Sequence, residues 1–241
     1  IADLDLAHEG RITEEESLRF SMPVTILGRL RRRHRGGKAY KIGETEMHHI
    51  HGQSVEFVNV GEAGRVRKGL LGHLVCTVCG AAQTPYAVDK RIEQFVKIHS
   101  DRCGKAPLWI ALTAQAEVDL LQFHDMTSNA AAINIGESLR TAAAQLLDMG
   151  PDDLQILIVG KPEDKNDLLV YDPMPGGSGL LEQMLARWDE LVQTACALLD
   201  KCPNQCEAAC YSCLKTFRNQ FYHPLLNRHD ALGLVGELNV T

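Results

Sequence analysis

Four cysteines fall within twelve residues near the C-terminal end, Cys202, Cys206, Cys210 and Cys213, separated by three, three and two residues. Donors this close in sequence can wrap one ion, because Zn²⁺ asks only for a tetrahedron of four ligands at about 2.3 Å in the case of sulfur. Free thiols or disulfides are the rival reading. Loops this short favour a metal, and nothing in the chain marks it for secretion. Whatever fold surrounds this segment must deliver the chain into a four-thiolate knot and lead it out again.

A second set of donors lies earlier. Cys76-Thr-Val-Cys79-Gly80 is a knuckle whose glycine permits the tight turn a metal needs, and His99 and Cys103 follow. The intervening stretch from Lys90 to Lys97 has helical character and would carry His99 back to the knuckle, giving a site of three thiolates and one imidazole. A redox-active CxxC is the competitor, but no strand-CxxC-helix pattern surrounds it. Seven of the eight cysteines are then ligands to two zinc ions, and Cys196, on the apolar side of a helical run, is a packing residue.

At 241 residues the chain can bury a sizeable core. It opens on Ile1 without a charged-then-apolar leader, and no apolar run reaches membrane-spanning length, so the expectation is a soluble, cytoplasmic piece of a longer polypeptide with no membrane partner. A formal charge of −6 excludes a surface that is basic all over, so any contact with nucleic acid must be local. One run fits. Residues 29–38 hold six cationic side chains, among them Arg31, Arg32, Arg33 and Arg35, and end in a glycine turn, so they read either as a phosphate-contacting hairpin tip or as a solvated edge strand.

The order of elements predicts an α+β chain: a β-rich N-terminal part with a zinc knuckle, then a mixed α/β unit ending in a helical four-cysteine region. Divisions are expected at 1–69 (β-rich), 70–106 (knuckle module) and 107–241 (α/β unit). Strands are predicted at 22–27, 38–42 and 54–60, then at 108–113 continuing across a bend into 117–121, then at 153–159 and 167–172. Helices are predicted over 130–149 and, unbroken, over 180–199. His48, His49 and His51 fall between predicted strands; they could bind a metal, but no cysteine or carboxylate pair at ligand spacing accompanies them, so they read as an exposed histidine cluster. Gly176-Gly177-Ser178-Gly179 joins a strand to a helix. Ser178 there is either a helix N-cap or, with Gly177, part of an anion-binding turn.

Glu117, Asp119, Glu137, Asp153 and Asp172 punctuate the α/β unit, so a metal-dependent nuclease must be weighed. No acidic residue is followed along a strand by the lysine such a site needs, and caps and solvated faces account for these acids.

The stretch Tyr171 to Leu181, the cysteine run 202–213, and Leu214 to Asn219 with Arg218, then His223, Asn227 and Arg228, resemble the MrfA-like zinc-binding domain. That family is appended to bacterial and archaeal DEAD/DEAH-box (superfamily 2) DNA helicases and occurs in a subunit of the DISARM phage-defence system. The resemblance covers roughly 108–230 and implies one zinc on Cys202, Cys206, Cys210 and Cys213. The chain has no Walker lysine loop and no DEAD or DEAH box, so the ATPase is expected elsewhere in the same polypeptide, with this part non-catalytic. The resulting expectation is an accessory domain that guides or clamps DNA in repair or phage defence, with Arg31, Arg32, Arg33, Arg35, Gly177, Ser178 and Arg218 as candidate contacts. Its alternative is a protein-interaction module that does not touch DNA.

Overall fold

One strand organises the sheet. β3 (Thr45–Glu62) carries β-branched and aromatic residues through Val55, Phe57, Val58 and Val60, and pairs antiparallel with β6 (Leu112–Met126) from Met47↔Phe123 to Asn59↔Leu112. The ladder is irregular between Ile50 and Gln53, where Gly52 turns to φ +60°. The computed structural model describes residues 24–30, 37–43, 45–62, 72–83, 89–150, 152–160, 165–220 and 222–238.

β3 is long enough to carry two neighbours on its outer edge. β1 (Val24–Leu30) and β2 (Lys38–Ile42) both pair antiparallel with β3 and not with each other: Leu30 faces Val55 and Lys38 faces His49. They run end to end, and the basic run 31–36, which lies outside the described residues, falls between them in sequence. Beyond β6 come β8 (Asn166–Asp172) and β7 (Gln155–Gly160), giving the order β1-β3-β6-β8-β7 with every pairing antiparallel. The two end strands approach. A Cβ on Gly28 of β1 would collide with the Leu157 side chain of β7, so glycine is what lets the sheet curl this far.

Alternation along the strands gives two apolar faces. Inside the curl lie Ile50, Val55, Val118, Leu120, Leu157 and Leu169. The other face, with Met47, Leu121, Phe123, Leu168 and Val170, is covered by helices. The helix packed on it is α2 (Asn129–Leu146), opened by Ser128, whose hydroxyl accepts the Ala131 N–H at 3.0 Å. Residues 131–140 of α2 are all buried, because α4 (Trp188–Asp200) and α5 (Arg228–Gly236) cover its other side.

A second, two-stranded sheet pairs β4 (His73–Val75) with β5 (Leu108–Ile110) and holds α1 (Asp89–Cys103) between them in sequence. The chain leaves this sheet at Ala111 and enters β6, so the strand expected at 108–113 belongs to two sheets. The mixed α and β content, with a β-rich front and the four cysteines near the C-terminal end, is the α+β class read from the sequence. Three local expectations are corrected. His48, His49 and His51 lie within β3 rather than between strands, and His49 is buried. The long helix breaks at Arg187 into α3 (Leu180–Ala186) and α4, because the Arg187 guanidinium donates to the Leu146 carbonyl at 3.1 Å and to Glu190 at 2.6 Å. Ser178 is not the N-cap of α3; Gly179 holds that position at φ +81°. Among the described residues, no helix is long and apolar enough to cross a membrane.

Asn134 of α2 ties the C-terminal segment down: its amide donates to the Leu225 carbonyl and its oxygen accepts the Asn227 N–H, each at 2.9 Å. Asn134→Ala removes both bonds from a half-buried position, and each lost bond costs about 0.5–1.5 kcal/mol. Urea unfolding should show that loss, and amide exchange should show α5 opening before the sheet. Exchange in α5 unchanged from the parent chain would refute the clamp.

Candidate metal centres

The C-terminal centre is built where α4 ends. Cys202 is the second residue past the helix, and Gln205, at φ +43°, reverses the loop so that Cys206 faces back toward it. Cys210 and Cys213 follow on consecutive turns in which the Cys213, Leu214 and Lys215 N–H groups all point to the Cys210 carbonyl. The sulfur separations are 3.8 Å for Cys202–Cys206, 3.5 Å for Cys202–Cys210, 3.7 Å for Cys206–Cys213 and 3.8 Å for Cys210–Cys213. A regular ZnS₄ tetrahedron with bonds of about 2.3 Å places its sulfurs about 3.8 Å apart. The cluster therefore fits zinc.

Its electrostatics agree. Burial pushes the Cys210 thiol up, but hydrogen bonds from the Ser212 N–H, Cys202 and the Asn204 amide outweigh it and hold Cys210 at about 6. Cys213, penalised first by burial, is pushed up to about 12. Four thiolates in this volume need a cation among them. Asn204, missed in the sequence, also donates to the Ser212 hydroxyl at 3.0 Å and braces the loop; an asparagine between the first two cysteines was its only signal.

Residues of the motif beyond the cysteines hold the knot in place. Arg228 donates to the Cys206 carbonyl at 2.7 Å and to the Leu199 carbonyl at 2.8 Å, joining the cysteine loop to the end of α4. Asn227 caps α5 by accepting the His229 N–H at 2.9 Å. Asn219 is buried between the Leu214 carbonyl and the Thr216 N–H, with His223 against its oxygen at 3.0 Å.

The second centre brings Cys76 and Cys79, from the turn after β4, against His99 and Cys103, one helical turn apart on α1. Gly80, at φ +77°, closes the turn by donating to the Cys76 carbonyl at 2.8 Å. His99 Nδ1 is 3.4 Å from the Cys79 sulfur and 3.7 Å from that of Cys103. Zinc bonds of about 2.3 Å to sulfur and 2.05 Å to nitrogen require about 3.6 Å, and all four donors lie within 4.8 Å of one another. The Cys79 N–H is the main influence holding Cys76 at about 6, while burial first, then its neighbouring cysteines, push Cys103 up to about 11. None of the residues of α1 is buried, so these ligands are its main tie to the rest of the chain.

The other candidate residues are more dispersed. Arg31, Arg32, Arg33 and Arg35 lie outside the described residues. The Ser178 N–H and hydroxyl both donate to Asp172, and the Gly177 N–H donates to the Met174 carbonyl at 2.9 Å, so these donors already serve acceptors within the chain. Gly177 is required because a Cβ there would strike the Asp119 carboxylate. Arg218 pairs with Asp152 at 2.9 Å on the surface. Of the scattered acids, Glu137 forms a buried pair with Arg140 at 2.6 Å, Asp153 accepts the Gly150 N–H at 2.8 Å, and Asp172 anchors the glycine turn. Asp119 faces His51 at 3.0 Å.

Two zincs per chain are expected by elemental analysis. Cys210→Ser should empty one centre and lower the melting temperature far more than Cys196→Ala, which trims only local packing. Protons compete with zinc for the thiolates, so affinity should fall as pH falls. Chelation should expose α1 to protease while the sheet persists. A metal content of one, or equal destabilisation by the two cysteine variants, would refute this assignment.

Residues 135–214 match the family model of the MrfA Zn-binding domain, a span that contains the four-cysteine centre and excludes the knuckle. Druantia protein DruE of Escherichia coli (strain UMEA 4076-1) is 33% identical over 112 residues, which is 44% of this chain and 6% of that protein. The fold resembles the crystal structure of the DUF1998 helicase MrfA bound to DNA, with a TM-score of 0.53 at 13% identity over 90% of this chain and 25% of the helicase. The chain thus spans a small part of the proteins it matches. The tetrathiolate geometry and the sequence match fall on the same segment: residues 135–214 match the MrfA Zn-binding domain and hold the four-cysteine centre.

Proposed function

We propose that this chain is a zinc-binding accessory region of an ATP-dependent superfamily-2 DNA helicase that guides or clamps DNA for the motor, in repair or phage defence. The observation that carries the reading is the MrfA Zn-binding domain itself, set in a fold that follows a DNA-bound helicase over most of this chain. Both cysteine centres have four protein donors and no open position, which is the form of structural rather than catalytic zinc. Their work is to hold loops rigid. The DNA contacts would then come from local cations, Arg31, Arg32, Arg33 and Arg35 between β1 and β2 and Arg218 on the surface. Arg218 would exchange its pairing with Asp152 for a phosphate.

A protein-interaction role is the second reading, favoured by the exposed Val78, Leu108 and Trp109 on the knuckle module. Salt separates the two. If the arginines neutralise phosphates, DNA affinity should fall steeply with salt, and replacing Arg31, Arg32, Arg33 and Arg35 by alanine should flatten that dependence by roughly 0.7–0.9 units of slope for each phosphate no longer neutralised. The melting temperature should hardly move, because exposed charges contribute little to folding. No measurable DNA binding by a zinc-loaded chain, at low salt, would reject the DNA reading.

A further inference from the structure

A third set of metal donors stands apart from both cysteine centres, on elements that supply no cysteine ligand. His49 and His51 are two residues apart on β3, so their side chains leave the same face, and their rings lie 4.3 Å apart. Glu182, in the first turn of α3, faces both: its carboxylate is 3.9 Å from His49 Nε2 and 3.6 Å from His51 Nδ1. One donor atom from each of the three lies within 4.8 Å of the others.

His49 gives the cluster its meaning. Its side chain is 6% exposed, and Nε2 is buried without a hydrogen-bond partner, aimed at Glu182. A buried ring nitrogen left unmatched is costly, and a ligand on that atom removes the cost.

We propose that His49, His51 and Glu182 form an open site for a divalent first-row transition-metal ion. Two imidazoles and a carboxylate suit zinc, cobalt, nickel or ferrous iron better than magnesium or calcium, which prefer all-oxygen shells. Asp119 stands beside the same ring nitrogen, with one oxygen 3.0 Å from His51 Nδ1 and the other accepting the Gly52 N–H at 2.8 Å, so a further carboxylate borders the site. His51 and Glu182 are both exposed, so positions remain free for water or an anionic oxygen. That distinguishes an exchangeable ion from the closed cysteine centres.

Co²⁺ titration of the full chain, with its cysteine centres already filled by zinc, tests the site by calorimetry and visible absorption. One further equivalent is expected, with weak nitrogen-and-oxygen-type bands and no thiolate charge-transfer band. Glu182→Gln and His51→Ala, both at exposed positions, should each weaken that equivalent at least tenfold with unchanged circular dichroism, and His49→Gln should remove it. The proposal is overturned if no third equivalent binds, if its affinity is unchanged in the two exposed-site variants, or if the cobalt signal carries the thiolate band and so reports exchange into the cysteine centres.

Discussion

The stretch 131–140 of α2 is buried throughout, so every polar side chain on it must find a partner inside the protein, and it carries four: Asn134, Glu137, Ser138 and Arg140. Asn134 reaches the segment before α5, and Ser138 donates back to the Asn134 carbonyl at 2.6 Å. Glu137 and Arg140 pair with each other, and Arg140 also approaches Asp152 at 3.8 Å, the same carboxylate that holds Arg218. Replacing one member of the buried pair would leave a charge stranded, so the set acts as a unit. Through these bonds α2 fixes the segment that follows the cysteine loop, while α4, packed against α2, delivers the chain into it.

The two cysteine centres relate differently to that core. Cys202 and Cys213 are buried and belong to the main apolar cluster, so the C-terminal metal would add to packing that already exists. The knuckle has no such support. α1 contributes nothing to either core cluster, and Cys79 is exposed. A metal there would organise a module in which apolar burial is slight, the situation in which binding energy and folding energy become the same quantity.

Both cysteine centres are legible in the sequence because ligand spacing is local chemistry: a CxxC turn, and a histidine and cysteine four apart on a helix, specify their geometry within a few residues. What escapes depends on long-range pairing. β3 does not read as one strand because Gly52 and three histidines interrupt its pattern, yet β6 pairs along almost its whole length and overrides local propensity. The break at Arg187 is hidden because arginine is a good helix former; only the carbonyl at the end of α2 explains it. Ser178 looks like a cap because the Asp172 carboxylate that takes its hydroxyl is six residues away on a strand. The histidine site needs β3 and α3 together, and no sequence spacing joins His49 to Glu182.

The length of β3 also sets where unassigned chemistry can sit. β1 leaves its edge at Val55 and β2 rejoins it at His49, so among the described residues positions 50–54 face no strand on that side. The same stretch holds the irregularity in the β6 ladder and Gly52, whose N–H is bound by Asp119. The strands that border this gap are joined in sequence by the arginine-rich stretch, and the histidine cluster is rooted at its border. A regular sheet would fill those positions with ladder hydrogen bonds and leave them inert. Here the ladder is interrupted on both sides of one short segment, and the strongest local positive charge in the sequence and the buried unpartnered histidine are both attached to it.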